Sequence, residues 1–385
     1  MKRILCAFLA LFCCVFGLFS ISSTVSAAEQ VDLHLDAVSA VLMEAETGKI
    51  LYEQNADEQL PPASITKIMT LLLVMEAIDA GKIKLTDTVT ASERAASMGG
   101  SQIYLKVGEQ MNVEDLLKSV VIASANDAAA ALAEHLCGSV ETFVEKMNAR
   151  AQQLGMENTH FENTNGLDDT TTQHYTSARD VAIMSRALIA HPLILQYSSI
   201  WMDSIRDGAF GLTNTNRLVR FYPGATGLKT GSTSKAKFCI SATAERDGMH
   251  LIAVIMGSPT RDIRNEEAKK LLDYGFANFA VYHDAAADLG ELTVTGGLQD
   301  ICRVRMDGFT MLVNKENVSS VTRKVNLPPE LAAPVAKGQK IGTVSYYVGE
   351  ELIGECNVLA TETVGKISFF DIFLRMLKNC FGVDG

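Results

Sequence analysis

The chain has 385 residues, 48% of them apolar and 21% charged, with a formal net charge of −11. That length suits two domains, and the composition suits a packed core. A uniformly acidic protein is a poor candidate for nucleic acid, and none is expected as a partner, because phosphate binding needs a basic face.

The chain opens on Met1-Lys2-Arg3, then the uncharged run ILCAFLALFCCVFGLF, then the small polar residues SISSTVSA. This is the three-part layout of a secretory signal, with cleavage expected after Ala27 or Ala28. A retained membrane helix is the alternative, and the small residues Ser26, Ala27 and Ala28 favour removal. Three of the eight cysteines fall in this segment. The other five (Cys137, Cys239, Cys302, Cys356 and Cys380) are widely spaced, which indicates neither a zinc site nor a disulfide framework. Cys302 and Cys356 fall in one late region, where an exported context permits a pairing without requiring it. The seven histidines lack metal-ligand spacing, so neither a metal nor a cofactor is expected.

AVSAVLMEAETGKILYEQN reads as a hairpin turning at Glu-Thr-Gly-Lys. Ser64 to Ala80 has helical apolar spacing and stops at Gly81. Residues 113–137 hold two more helical stretches, and Ser139 to Leu154 another. Ser177-Ala-Arg-Asp180 is a capping-box pattern before a helix that stops at His191-Pro192. AKFCISATAE and MHLIAVIMG then form a hairpin through Asp247-Gly248. Helix returns from Asn265 to Val281. The order predicts an antiparallel sheet packed by helices, with a helical lobe inserted between its early and late strands. From about Ala285, short alternating runs broken by Gly, Pro and Asp-Gly predict a small all-β domain whose longest loop is LPPELAAPVAKGQ. The tail KISFFDIFLRMLKNCFG places Ser368, Asp371, Arg375, Lys378, Asn379 and Gly382 on one helical stripe and apolar residues elsewhere. It is too short to span a bilayer and suits a helix lying in the membrane interface, against docking on the protein's own core.

PPASITKIMT places Ser64 and Lys67 three apart where a helix begins. Residues at that spacing share a face. A helix start also offers free N–H groups and positive potential. A lysine kept neutral by burial or a nearby cation can take the proton of a serine hydroxyl. Alone the pattern is weak, since Ser232-Thr-Ser-Lys235 and Ser234-Lys-Ala-Lys237 satisfy it too, and a helix cap followed by a solvated lysine fits as well. Context sharpens it. Ser124-Ala-Asn126 follows the second helix, and Lys229-Thr-Gly231 precedes the strand AKFCISATA. Ser-x-x-Lys, Ser-Asp-Asn and Lys-Thr-Gly in that order are the signature of penicillin-binding proteins and class A β-lactamases.

With SANDAAAALAEH, NTNGLDD, HYTSARDVAIMSRALI, GLKTGSTSKA and NEEAKKLLDYGF, the chain resembles the low-molecular-mass penicillin-binding proteins, serine-type D-alanyl-D-alanine carboxypeptidases of the peptidase S11 type. The resemblance spans nearly the whole chain after the signal. It implies an α+β fold: a β-lactamase/transpeptidase-like catalytic domain, a small all-β C-terminal domain and a C-terminal amphipathic helix. The expected division is a signal peptide at 1–28, a penicillin-binding catalytic domain at 29–284, a β-rich C-terminal domain at 285–363 and a membrane-anchoring helix at 364–385. The implied partners are a peptidoglycan stem peptide ending in D-Ala-D-Ala, β-lactams as inhibitors, and the outer surface of the cytoplasmic membrane. The implied roles are Ser64 as nucleophile, Lys67 as its base, and Ser124 as proton relay to the leaving D-alanine. Asn126 would hold the substrate amide and help position Lys67. Lys229 would add positive charge and Thr230 meet the terminal carboxylate. Gly231 would leave room for substrate along the strand edge, and the N–H groups of Ser64 and Ser232 would form the oxyanion hole.

The chain departs from the pattern in two places: the middle motif is Ser-Ala-Asn in place of Ser-Asp-Asn, which is usual for this carboxypeptidase branch and speaks against a class A β-lactamase, and Ser232 stands where some relatives carry histidine. Arg264 and Arg217 are the candidates for a carboxylate-binding arginine, each against a surface or structural reading. Trp201 reads as packing, His160 and His174 as structural, Asp168 and Asp169 as shaping the cleft rim, and NTNGLDD as a turn. The rivals are a β-lactamase of the same fold, for which Glu162 lacks the expected motif context, and a non-catalytic peptidoglycan-binding scaffold, against which Ser64, Lys67 and Lys229 all stand.

Overall fold

The structure is a computed structural model and describes residues 31–381. The expected signal segment lies outside the described residues. The early hairpin forms as β1 (Ser39–Glu44) and β2 (Ile50–Gln54). A 3-10 turn, Ala63–Thr66, then leads into α1 (Lys67–Asp79), so the serine of the first motif sits on the tighter turn and its lysine on the helix proper. β3 (Thr88–Thr90), α2 (Glu93–Ala96) and β4 (Gln110–Asn112) follow, with β3 and β4 paired. The helical lobe continues as α3 (Val113–Ile122), α4 (Asn126–Cys137), α5 (Val140–Gln153) and α6 (Ala178–Ile189). Side-chain caps start three of these: Asn112 accepts from the Asp115 N–H, Ser139 from Thr142 and Ser177 from Asp180. Only half of the expected box at Ser177 closes, because the Asp180 carboxylate instead accepts from the Asn158 N–H and the Thr159 hydroxyl. Pro192 ends α6 but also opens the short α7 (Pro192–Ser198), where its missing N–H costs nothing.

The hairpin of β5 (Met202–Ile205) and β6 (Phe210–Thr213) and the turn α8 (Leu218–Phe221) lead to three long strands. These are β7 (Ala225–Thr233), β8 (Lys237–Arg246) and β9 (Met249–Ser258). Asp247 and Gly248 turn β8 into β9 with φ of +51° and +76°, the left-handed pair that a two-residue hairpin needs. The antiparallel sheet runs β2-β1-β9-β8-β7, so β7 is an edge. Both sheet faces are covered. Val41, Met43, Ile252, Val254 and Met256 join the core of the helical lobe. On the other face Leu42 and Leu251 lie against Gly275 of α9 (Arg261–Asn278), where an added Cβ would stand 2.5 Å from Leu251.

Helix α9 differs from the expected Asn265–Val281. Thr260 caps it earlier, accepting from the Ile263 N–H, and it ends at Asn278. Phe279 to Asp284 is instead β10, paired with β13 (Phe309–Asn314), where Phe279, Val281 and Tyr282 are residues that favour strands. Strand pairing of the late region thus begins at Phe279, before residue 285. Between these two lie β11 (Ala287–Thr295) and β12 (Ile301–Met306); after them come β14 (Val321–Asn326), β15 (Leu331–Ala332), β16 (Lys340–Val348) and β17 (Glu351–Ala360). They form a sheet in the order β14-β16-β17-β12-β11-β15. Cys302 and Cys356 are both free thiols; Cys302 belongs to the cluster with Val294 and Val335, Cys356 to the one around Tyr346. The tail forms α10 (Phe369–Phe381). Its Phe369, Phe370, Phe373, Leu374 and Met376 are exposed, so this helix is not docked on the protein's own core. Among the described residues no helix is long and apolar enough to cross a membrane.

Candidate active site

The three motifs converge. Lys67, at the first position of α1, is fully buried. Its Nζ lies 2.9 Å from Ser64 Oγ, 2.5 Å from Asn126 Oδ1 and 2.9 Å from the Asn165 carbonyl oxygen. Asn126 opens α4, and its Nδ2 donates to the Gly99 carbonyl at 2.7 Å. Both ends of that amide are therefore held by the protein, which fixes Oδ1 towards the amine. Ser124 sits in the break between α3 and α4 with φ +62°. Its hydroxyl is buried without a hydrogen-bond partner.

Lys229 lies on β7, also buried, and donates to the Thr230 carbonyl at 3.0 Å. Burial pushes the Lys67 pKa well below the usual lysine value; the Lys229 charge lowers it further and buried Asp127 opposes this. Lys229 is lowered to about 7 by burial and by the Arg264 charge. Gly231 brings β7 against the serine turn: a Cβ there would stand 2.9 Å from Pro62 O, 2.9 Å from Ser64 N and 3.0 Å from Ile65 N. No side chain but hydrogen fits. Thr230 Oγ1 donates to Thr215 Oγ1 at 2.8 Å, and Ser232 is exposed beside it. Among the described residues no strand pairs with the outer edge of β7, so an extended chain can pair there.

A cleft of about 620 Å³ opens over these groups, lined by Ser64, Ser124, Thr230, Gly231 and Ser232. Arg217, Arg264 and Arg261 share its wall. Arg264 is buried, donates to Asn265 Oδ1 and Cys239 O, and is lowered to about 10 by burial and then by Arg261. No motif singles out Arg261, and Trp201, whose sequence context reads as packing, lines the same cleft beside Phe221. NTNGLDD is indeed a turn, but it carries more: the Asn165 carbonyl holds Lys67, Thr164 O accepts from Thr70, and the buried Asp168 accepts from Thr233 of β7. Asp169, beside it, is exposed. A backbone carbonyl leaves no signature in side-chain identity, so only its position could have disclosed Asn165. Glu162 is half-buried, and its carboxylate accepts from the Thr172 and Gln173 N–H groups.

Residues 23–260 match the D-alanyl-D-alanine carboxypeptidase family, peptidase S11, and residues 290–366 match the C-terminal domain of penicillin-binding protein 5. The chain is 42% identical to D-alanyl-D-alanine carboxypeptidase DacF of Bacillus subtilis, over 90% of this chain and 91% of that one. Its structure is similar to that of penicillin-binding protein 5 from Haemophilus influenzae (TM-score 0.77, 36% identity, 87% of this chain and 99% of that one). It is also similar to the ampicillin-bound form of penicillin-binding protein D2 from Listeria monocytogenes (TM-score 0.59, 34% identity, 64% and 100%). The chain belongs to the peptidase S11 family of D-alanyl-D-alanine carboxypeptidases, which are serine-type hydrolases.

Proposed function

We propose that Ser64 is the nucleophile with which this carboxypeptidase attacks the carbonyl between the last two D-alanines of a peptidoglycan stem peptide, and that Lys67 is its base. The carrying observation is the set of contacts around Lys67 Nζ. A neutral amine has two N–H donors and one lone pair. Asn126 Oδ1 and Asn165 O can only accept, so they take both hydrogens. The lone pair then points at the Ser64 hydroxyl. The lowered pKa of Lys67 supports the neutral form.

The Ser64 proton passes to Lys67 as Oγ bonds to the carbonyl carbon. The N–H groups of Ser64 and Ser232 stabilise the oxyanion. Ser124, whose hydroxyl has no competing partner, relays the proton to the leaving D-alanine nitrogen as the C–N bond breaks. Asn126 positions Lys67; Lys229 and Thr230 receive the terminal carboxylate, with Arg264 behind them. Water then releases the shortened peptide from the acyl-enzyme. A β-lactam, as seen bound in the Listeria relative, would acylate the same serine.

We further infer an exported protein with the four-part division given above, held at the outer membrane face through α10, because that helix exposes a row of large apolar side chains. Vesicles of anionic lipid should retain the mature chain and lose Phe370→Asp/Phe373→Asp. The nucleophile is tested by intact mass after exposure to penicillin. A long-lived adduct on Ser64, absent in Ser64→Ala, with D-alanine released from a pentapeptide, supports the reading. A folded protein with no adduct refutes it, and fast turnover of the β-lactam would favour a β-lactamase.

A further inference from the structure

Ser64 follows a residue under backbone strain. Ala63 has φ +47°, a left-handed conformation that is unfavourable for a side-chain-bearing residue and persists only where neighbours enforce it. Its carbonyl accepts from the Thr66 hydroxyl at 2.9 Å. The backbone of Gly166 presses on the same atoms, since a Cβ there would lie 1.7 Å from Ala63 O and 2.8 Å from Thr66 Oγ1. Buried Thr66 in turn lies 2.8 Å from Nε2 of His174, which is itself buried and comes from the far end of the same loop.

The protons in this chain of contacts can be assigned. The Glu162 N–H can only donate, and it meets His174 Nδ1 at 2.9 Å, so Nδ1 carries no hydrogen. The neutral ring then carries its hydrogen on Nε2, which donates to Thr66 Oγ1. The Thr66 hydrogen is left to donate to Ala63 O. Each bond is directional, and none has an alternative without breaking another. Burial, lowering the His174 pKa to about 4, keeps the ring in this neutral state at ordinary pH.

We propose that His174 is a positioning residue for the nucleophile: its Nε2–H fixes Thr66, and Thr66 holds the left-handed Ala63 that sets Ser64 Oγ against Lys67. His174 touches no substrate. Its effect is on the rate of the covalent step, not on the affinity of the complex that forms first. This rests on the reading of Ser64 as nucleophile, which the wild-type adduct and its loss in Ser64→Ala test separately.

The experiment measures penicillin acylation in the full mature chain across a range of penicillin concentrations up to saturation. The plateau gives the acylation rate and the half-saturation point gives the affinity of the non-covalent complex. His174→Phe keeps the ring against Phe161 but removes both hydrogen bonds. It should slow acylation roughly 10- to 100-fold with the non-covalent affinity unchanged, the size of effect expected from a sub-ångström misplacement. His174→Gln, whose amide N–H can replace Nε2–H, should restore the rate to within about threefold, and Thr66→Val should reproduce the loss while Thr66→Ser does not. The double variant Thr66→Val/His174→Phe should be no slower than the slower single, because both break one path. Wild-type acylation by folded His174→Phe overturns the proposal, as does a double variant whose losses multiply. Should His174→Phe fail to fold, Thr66→Val decides: a slow rate restored in Thr66→Ser supports the path, and a wild-type rate in Thr66→Val overturns it.

Discussion

Lys229→Met should make the protein more stable, and by an amount that depends on pH. Lys229 is fully buried, with its pKa lowered from 10.5 to about 7. The folded state therefore binds this proton less tightly than the unfolded chain does. Above the unfolded value both states are neutral and the group costs nothing. Between 10.5 and about 7 the unfolded state holds more protons, so stability falls as pH falls. Below about 7 both are charged and the penalty is complete. At 1.36 kcal/mol per pH unit that shift is worth up to about 5 kcal/mol. Losing the bond to Thr230 O returns about 1 kcal/mol. Methionine fills a similar volume, so packing changes little. At roughly 2 °C per kcal/mol, the thermal midpoint of the variant should exceed that of the wild type by several degrees at about pH 6, and the gap should close towards about pH 10. Catalysis should be lost across the range. A gap that does not change with pH would refute the reasoning, because it would mean that Lys229 does not titrate differently on folding.

Three other outcomes follow from the same geometry. The dependence of kcat/KM on pH should rise as Lys67 loses its proton and fall above about 7 as Lys229 loses its own, so a flat profile from about pH 6 to 9 would contradict the assigned charges. Gly231→Ala should lower β-lactam acylation by about a hundredfold, since its methyl carbon would force β7 off the Ser64 turn; equal rates would mean the strand is not held there. Alkylation of the unfolded protein without reductant, followed by mass mapping, should modify both Cys302 and Cys356, and a linked peptide pair would show that the two clusters are not as described.

Much of the site was legible because its groups are side chains at short spacing. Ser64 and Lys67 read as one helical face, and the hairpin at Asp247-Gly248 announced the strands behind Lys229. What was hidden is of three physical kinds. The acceptor at Asn165 is backbone, and the strain at Ala63 and Ser124 is conformational, so no residue type marks either. Arg217 and Arg264 are candidates from the sequence, but Arg261 joins them only through the turn at α8 and the start of α9, and a helix arginine looks solvated in sequence. The boundary between α9 and β10 failed because the short apolar run at Phe279 to Val281 fits a helix end and a strand alike, and pairing with β13 decides between them.

The same arrangement explains how one site can hydrolyse a peptide and be trapped by a β-lactam. Glu162, the acid weighed for a water-activating role, is half-buried, and its carboxylate is taken up by the Thr172 and Gln173 N–H groups. On the roles proposed for Ser64 and Lys67, we infer that Lys67 serves twice, first for the Ser64 proton and then for that of the incoming water. When D-alanine leaves, it diffuses away and opens the space above Ser64 through which water can reach the acyl carbon and Lys67. When a β-lactam ring opens, the leaving nitrogen stays tethered to the acyl group and keeps that space filled. Deacylation is then slow for a geometric reason that the peptide substrate never meets.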